Sequence, residues 1–87
     1  MPNPKAPRAV HTVCLNGRRW VNELERKGPF RGSFAERGTA ERIGREYAIA
    51  AQTEHVVHNR DGSIAYRRSY TQAADALDPQ LRRAAEG

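Results

Sequence analysis

Three histidines, one cysteine and a cluster of hydroxyl and acidic residues are the side chains in this sequence whose types could do chemistry: His11, His55, His58, Cys14, Asp61, Ser63 and Ser69. His55 and His58 invite a metal reading. They lie in a β-branched run, where alternation sends residues three apart to opposite faces, so they cannot jointly ligate one ion. His11 has no acidic or thiolate companion visible in the sequence, and no metal or cofactor is expected. Ser63, Ser69, His58 and Asp61 supply the letters of a nucleophilic triad. Asp61 precedes Gly62, however, in a dipeptide that reads as a turn, and no pocket-forming element is evident. The glycines of residues 26–38 suggest a phosphate loop, but the lysine–hydroxyl pair that closes such a loop is missing, as is a preceding buried parallel-type strand. The expectation is a protein without enzyme activity.

What remains is charge. The 87 residues hold 15 Lys and Arg against 10 Asp and Glu, a net charge of +5. That balance suits an anionic partner, such as nucleic acid or an acidic protein surface. Cys14 is the sole cysteine, so an intramolecular disulfide or a thiolate zinc site is excluded, which fits a reducing compartment. No apolar run approaches the roughly 20 residues of a membrane helix. The start of the chain lacks the apolar stretch of a secretory signal. A cytoplasmic protein with no membrane partner is expected.

The elements that must position these residues are read from two dipeptides, Asn16-Gly17 and Asp61-Gly62. Each lies between short runs rich in β-branched and aromatic residues, the mark of a two-residue hairpin turn. Strands are expected over 10–15 and 18–25, then 54–60 and 63–70. Between them a helix from about Ala40 to Gln52 shows an apolar stripe of Ala40, Ile43, Tyr47 and Ala50 or Ala51, with Thr39 as its N-cap. Ser33 and Glu36 have capping-box spacing for an earlier turn of helix. Gly44, beside the stripe, would let the helix approach the sheet near Trp20. The fold class is therefore α+β, a two-layer β-β-α-β-β domain over 10–70 with a four-stranded sheet and one helix on one face. A Pro-rich basic arm precedes it over 1–9. A tail over 71–87 follows, in which Asp78-Pro79 and Gly87 could bound a short helix.

Counting outward from two-residue turns separates the faces. Val13, Leu15, Trp20 and Leu24, with Val57, Ile64, Tyr66 and Tyr70, fall on the core side. Thr12, Cys14, Arg19 and Val21, with Val56, His58, Ala65 and Arg67, fall on the helix-free side. Arginine suits phosphate because its planar fork can bond two oxygens. The candidate binding residues are thus Arg19, Arg67, His58 and Arg60, with Val21 and Val56, extended by Arg26, Lys27 and Arg31 of the basic connection. A small nucleic-acid or nucleoprotein binding module is the first expectation. The second is a protein-interaction or inhibitor module, or a homodimer, using the same face or an edge strand.

The second half also resembles a family of short prokaryotic and phage-associated proteins classed as a domain of unknown function. The likeness rests on Trp20 in a strand pair, the Ala-rich helix, and a His-x-Arg-Asp-Gly-x-Ile segment at His58, Arg60, Asp61, Gly62 and Ile64, followed by Arg68, Ser69 and Tyr70. It covers roughly residues 10–70. Two departures are a long loop at 26–38 and Thr71 in place of a Gly-x-Asp-Pro continuation. The resemblance implies the β-β-α-β-β order and carries no established activity.

Overall fold

A computed structural model of the chain describes residues 8–71. Most of the expected arm (1–9) and tail (71–87), including the Asp78-Pro79 signal, lies outside the described residues. The elements are β1 (Val10–Leu15), β2 (Arg19–Leu24), β3 (Gly28–Phe34), α1 (Arg37–Ala51), β4 (Glu54–His58) and β5 (Ile64–Ser69). They form one sheet of five strands, in the order β3-β2-β1-β4-β5, with α1 across one face. The class is α+β as expected, but the sheet has five strands, not four.

The additional strand is β3, in the segment read as a glycine-interrupted connection. Its composition misleads for a physical reason. Pro29 lacks an N–H and is tolerated only on an edge strand, which β3 is. The ladder with β2 jumps from Val21–Ser33 to Asn22–Phe30. The two residues so inserted, Arg31 and Gly32, take positive φ of 62° and 76°. Such a bulge twists an edge away from further pairing.

α1 begins at Arg37, with Glu36 as an extended N-cap whose side chain makes no capping bond. Neither Thr39 nor the Ser33–Glu36 box starts the helix, because Ser33 is committed to β3. The helix ends on Gln52 in the left-handed region, whose N–H reaches the Ala48 and Ile49 carbonyls. Its buried stripe is Ala40, Gly44 and Ala48. α1 then serves as the crossover that brings β4 alongside β1 in parallel, Val10 beside His55 and Thr12 beside Val57.

Both glycine turns differ from two-residue loops. Asn16 and Gly17 have positive φ, as such a turn requires, and Arg18 N–H closes on Leu15 O at 3.0 Å. The ladder, however, pairs Leu15 with Arg19 and Cys14 with Trp20. Arg18 is an extra residue, and the register slips by one. Thr12 and Cys14 therefore join Trp20 under the helix, while Val13 and Leu15 turn to the helix-free face. In the second hairpin Val57–Tyr66, Val56–Arg67 and His55–Arg68 pair as counted, and a shift beyond Val57 places Ile64 opposite His58. Leu15, Ile64 and Tyr66, expected in the core, are 40%, 49% and 40% exposed.

Beneath α1 lies a buried polar cluster. The Thr12 hydroxyl donates to Asn22 Oδ1 at 2.6 Å, and Asn22 Nδ2 donates to Ala40 O at 2.9 Å. With its own proton committed, the Thr12 oxygen accepts from His55 Nε2 at 2.7 Å. Gly44 passes directly over these three side chains, rather than over Trp20.

Candidate anion-binding edge

The candidate binding residues separate into distinct regions. Arg19, Val21, Val56, His58 and Arg67 do lie on the helix-free face. Val21 and Val56 are only 3% and 2% exposed and offer no contact area, which corrects their assignment to a binding surface. Arg19 is tied across the edge to Ser33, through Nε to Oγ at 3.2 Å and Nη2 to the carbonyl at 2.8 Å. Arg67 is three strands away and displaced along the strands. Spacings of about 4.8 Å between strands and 3.3 Å per residue separate the two Cα atoms by about 20 Å. The face also carries Glu23 and Glu54, the latter 3.9 Å from Arg67, so its cations are partly cancelled.

Arg60 sits at the end of the sheet where the parallel β1–β4 pairing brings both glycine turns together. Its Nη1 donates to Gly17 O at 2.6 Å. Arg26 and Lys27 occupy the β2–β3 turn at the opposite end, and Lys27 N–H closes on Leu24 O. Arg31 projects from the β3 bulge over the Tyr47 ring, 5.7 Å from its centre, on the helix side. No single clamp is built from these residues.

A different set converges on β5. Every residue of this strand is exposed, and α1, packed chiefly over β1 and β2, barely reaches it. Between α1 and β5 a shallow groove of about 390 Å³ is lined by Arg45, Tyr66, Arg67, Arg68 and Tyr70. Tyr66 donates its hydroxyl to Glu41, which also pairs with Arg37 at 3.4 Å. Partial burial, and secondarily the bond to Glu41, raise the Tyr66 phenol above its ordinary range. It stays a neutral ring, 40% exposed. Sequence reasoning missed Arg45, Arg68, Tyr66 and Tyr70 as a site. The one available signal was the adjacent pair Arg67-Arg68, which must present a cation on each side of a strand.

The three histidines sit in two different settings. His55, 1% exposed, is held down to about 4, first by burial. Glu41 works against that shift, while Arg45 and His11 add to it. His58 and His55 are on opposite faces, as strand alternation requires. His11 does have companions, contrary to expectation: its Nε2 is 3.2 Å from Glu25 Oε1 and its Nδ1 is 3.0 Å from His58 Nε2. Among the described residues no group of three or more His, Cys, Asp or Glu side chains could hold a metal ion. In the β4–β5 turn Asp61 accepts from the Ser63 hydroxyl at 2.7 Å and its N–H at 2.9 Å, which lowers the carboxyl below its usual range. Asp61 is thus engaged in shaping the turn.

A small α+β domain with one helix on a five-stranded sheet and a basic exposed edge is the class these features define. Residues 10–70 match DUF2188, described as uncharacterized protein conserved in bacteria, and the chain belongs to that family. Searches of the curated proteins and of the solved structures found no match. Among the described residues no helix is long and apolar enough to cross a membrane.

Proposed function

We propose that the protein is a small non-enzymatic binding module of the bacterial cytoplasm that holds single-stranded nucleic acid along β5. The observation that carries this reading is the β5–α1 groove, lined by Arg45, Arg68, Tyr66 and Tyr70 with Arg67 at its rim from the other face of the strand. Guanidinium groups bond phosphate oxygens in pairs, and an exposed ring stacks an unpaired base without regard to its identity. A base within a duplex is already stacked, which favours single strands. The net charge of +5 draws such a polyanion to the surface.

Binding of a labelled mixed-sequence single strand across a salt series tests the reading. Three phosphate contacts predict a slope of log affinity on log salt near −2, so that raising salt from about 50 to 200 mM costs about 16-fold. Arg45→Ala plus Arg68→Ala should lose at least about tenfold and flatten that slope to about −0.7. Arg19→Ala, tied to Ser33 on the far side of the sheet, should change little. No affinity at the lowest salt would remove the reading.

A second reading, a protein-interaction or inhibitor module of phage or mobile-element type, draws on the outer edge of β5, which pairs with no strand among the described residues. An extended peptide could add there by main-chain bonds. Its affinity would survive both arginine replacements and would depend weakly on salt.

A further inference from the structure

All four ring nitrogens of His11 and His58 are engaged, and their partners dictate where the protons sit. His58 Nδ1 lies 3.0 Å from the Gly62 carbonyl, and His11 Nε2 lies 3.2 Å from Glu25 Oε1. A carbonyl or an ionised carboxylate can only accept, so both of these nitrogens carry protons. The remaining two, His11 Nδ1 and His58 Nε2, face each other at 3.0 Å. In neutral rings both would be bare lone pairs, and the contact would be repulsive.

We propose that His11 and His58 share one proton across this gap, giving the pair a single positive charge and making it a cationic bridge between β1 and the β4–β5 turn. Three protons on four nitrogens satisfy all three hydrogen bonds at once. Removing one proton leaves one bond unmade. Adding a fourth sets two N–H groups against each other and forces the rings apart. The bridge therefore ties β1 to the turn that carries Arg60.

A transition-metal ion is the competing occupant, because ligating histidines commonly donate their outer N–H to a carboxylate or a carbonyl. The ring geometry favours the proton. The ring centres are 5.2 Å apart while the nitrogens are 3.0 Å apart, so the nitrogens lie close to the line joining the centres. Lone pairs aimed along one line suit an N–H···N bond. Chelation needs them to converge from the side on an ion about 2.0–2.1 Å from each.

The surrounding charges are balanced. Glu23, opposite His11 on β2, and Glu54 on β4 favour a cation, as does Glu25 itself. Arg67 on β5, Arg60 in the turn and Arg8, bonded to Glu25 O at 3.0 Å, oppose it. Asp61 is occupied by Ser63, and His55 on the other face of the sheet is kept neutral by burial. The decisive factor is thus the hydrogen-bond geometry, not a field of one sign.

Nitrogen-resolved imidazole spectra of the full chain at about pH 6.5 provide the test. The expected result is three protons, one on His11 Nε2, one on His58 Nδ1 and one coupled to both inner nitrogens. His58→Gln should abolish the shared signal and speed amide exchange at Gly62 at least about tenfold, the loss of one charge-assisted bond. Trp20 fluorescence reports folding, His11→Asn is the second variant, and the proton count of the unaltered chain decides even if neither folds. A neutral pair with two protons overturns the proposal. So does an inner proton displaced by one equivalent of Zn²⁺, which would make the site a metal site.

Discussion

A buried histidine bonded through one N–H to a threonine oxygen is a proton sink that only the unfolded chain can fill. His55 holds at about 4 in the folded protein against an ordinary 6.5, so between those values the unfolded state binds more protons. Stability is therefore full above the ordinary value, falls as pH drops through the window, and levels off below the folded one. The whole window is worth about 3 kcal/mol, because each pH unit of it contributes roughly 1.4 kcal/mol. Urea midpoints at about pH 7 and 4.5 should differ accordingly, and His55→Gln should flatten that part of the dependence. Equal pH dependence in both proteins would show that other groups set it.

At the scale of elements, the close approach of α1 to the sheet depends on Gly44. A Cβ there would sit on Asn22 Oδ1, with His55 Nε2 at 2.8 Å and Thr12 Oγ1 at 2.9 Å. Gly44→Ala should therefore destabilise by about 1–3 kcal/mol, as overpacking does, despite a helix-propensity gain of up to about 1 kcal/mol. Thermal unfolding that left the midpoint unchanged or higher would show that the helix can move away at no cost. That Gly44 mattered was legible, since a glycine beside a helix stripe implies close approach. What it approached was not, because a single extra residue, Arg18, turned Thr12 inward. Such a slip leaves no trace in composition. Val13 and Leu15 look more like core than Thr12 and Cys14, and the buried polar cluster reversed that preference. The inner pairs of the second hairpin were countable because the shift there lies beyond Val57. β3 was hidden by Pro29 and Gly32, which an edge strand tolerates and an isolated sequence window does not advertise.

Across the whole molecule, the parallel β1–β4 seam decides what is edge and what is centre, and with it which strand leaves the basic groove open. Hairpin counting could not reveal that seam, because parallel contacts have no turn to announce them. It sends β3 and β5 to the outside, and the two edges are protected by different means. β3 carries Pro29 and a two-residue bulge. β5 carries no proline, and its exposed Arg67 and Arg68 are the charges that discourage another strand from pairing there. Charge repulsion is screened by salt, with a Debye length of about 10 Å at 0.1 M and about 3 Å at 1 M. Two salt effects of opposite sign should therefore meet on one strand: added salt weakens binding of a polyanion and strengthens self-association through the edge. Arg67→Thr plus Arg68→Thr should move the chain towards a dimer already at low salt, since threonine favours strands and removes the repulsion. Sedimentation velocity over a concentration series reads this directly. A double variant that stays monomeric at low salt, and sediments like the unaltered chain at every concentration, would mean that these cations do not guard the edge.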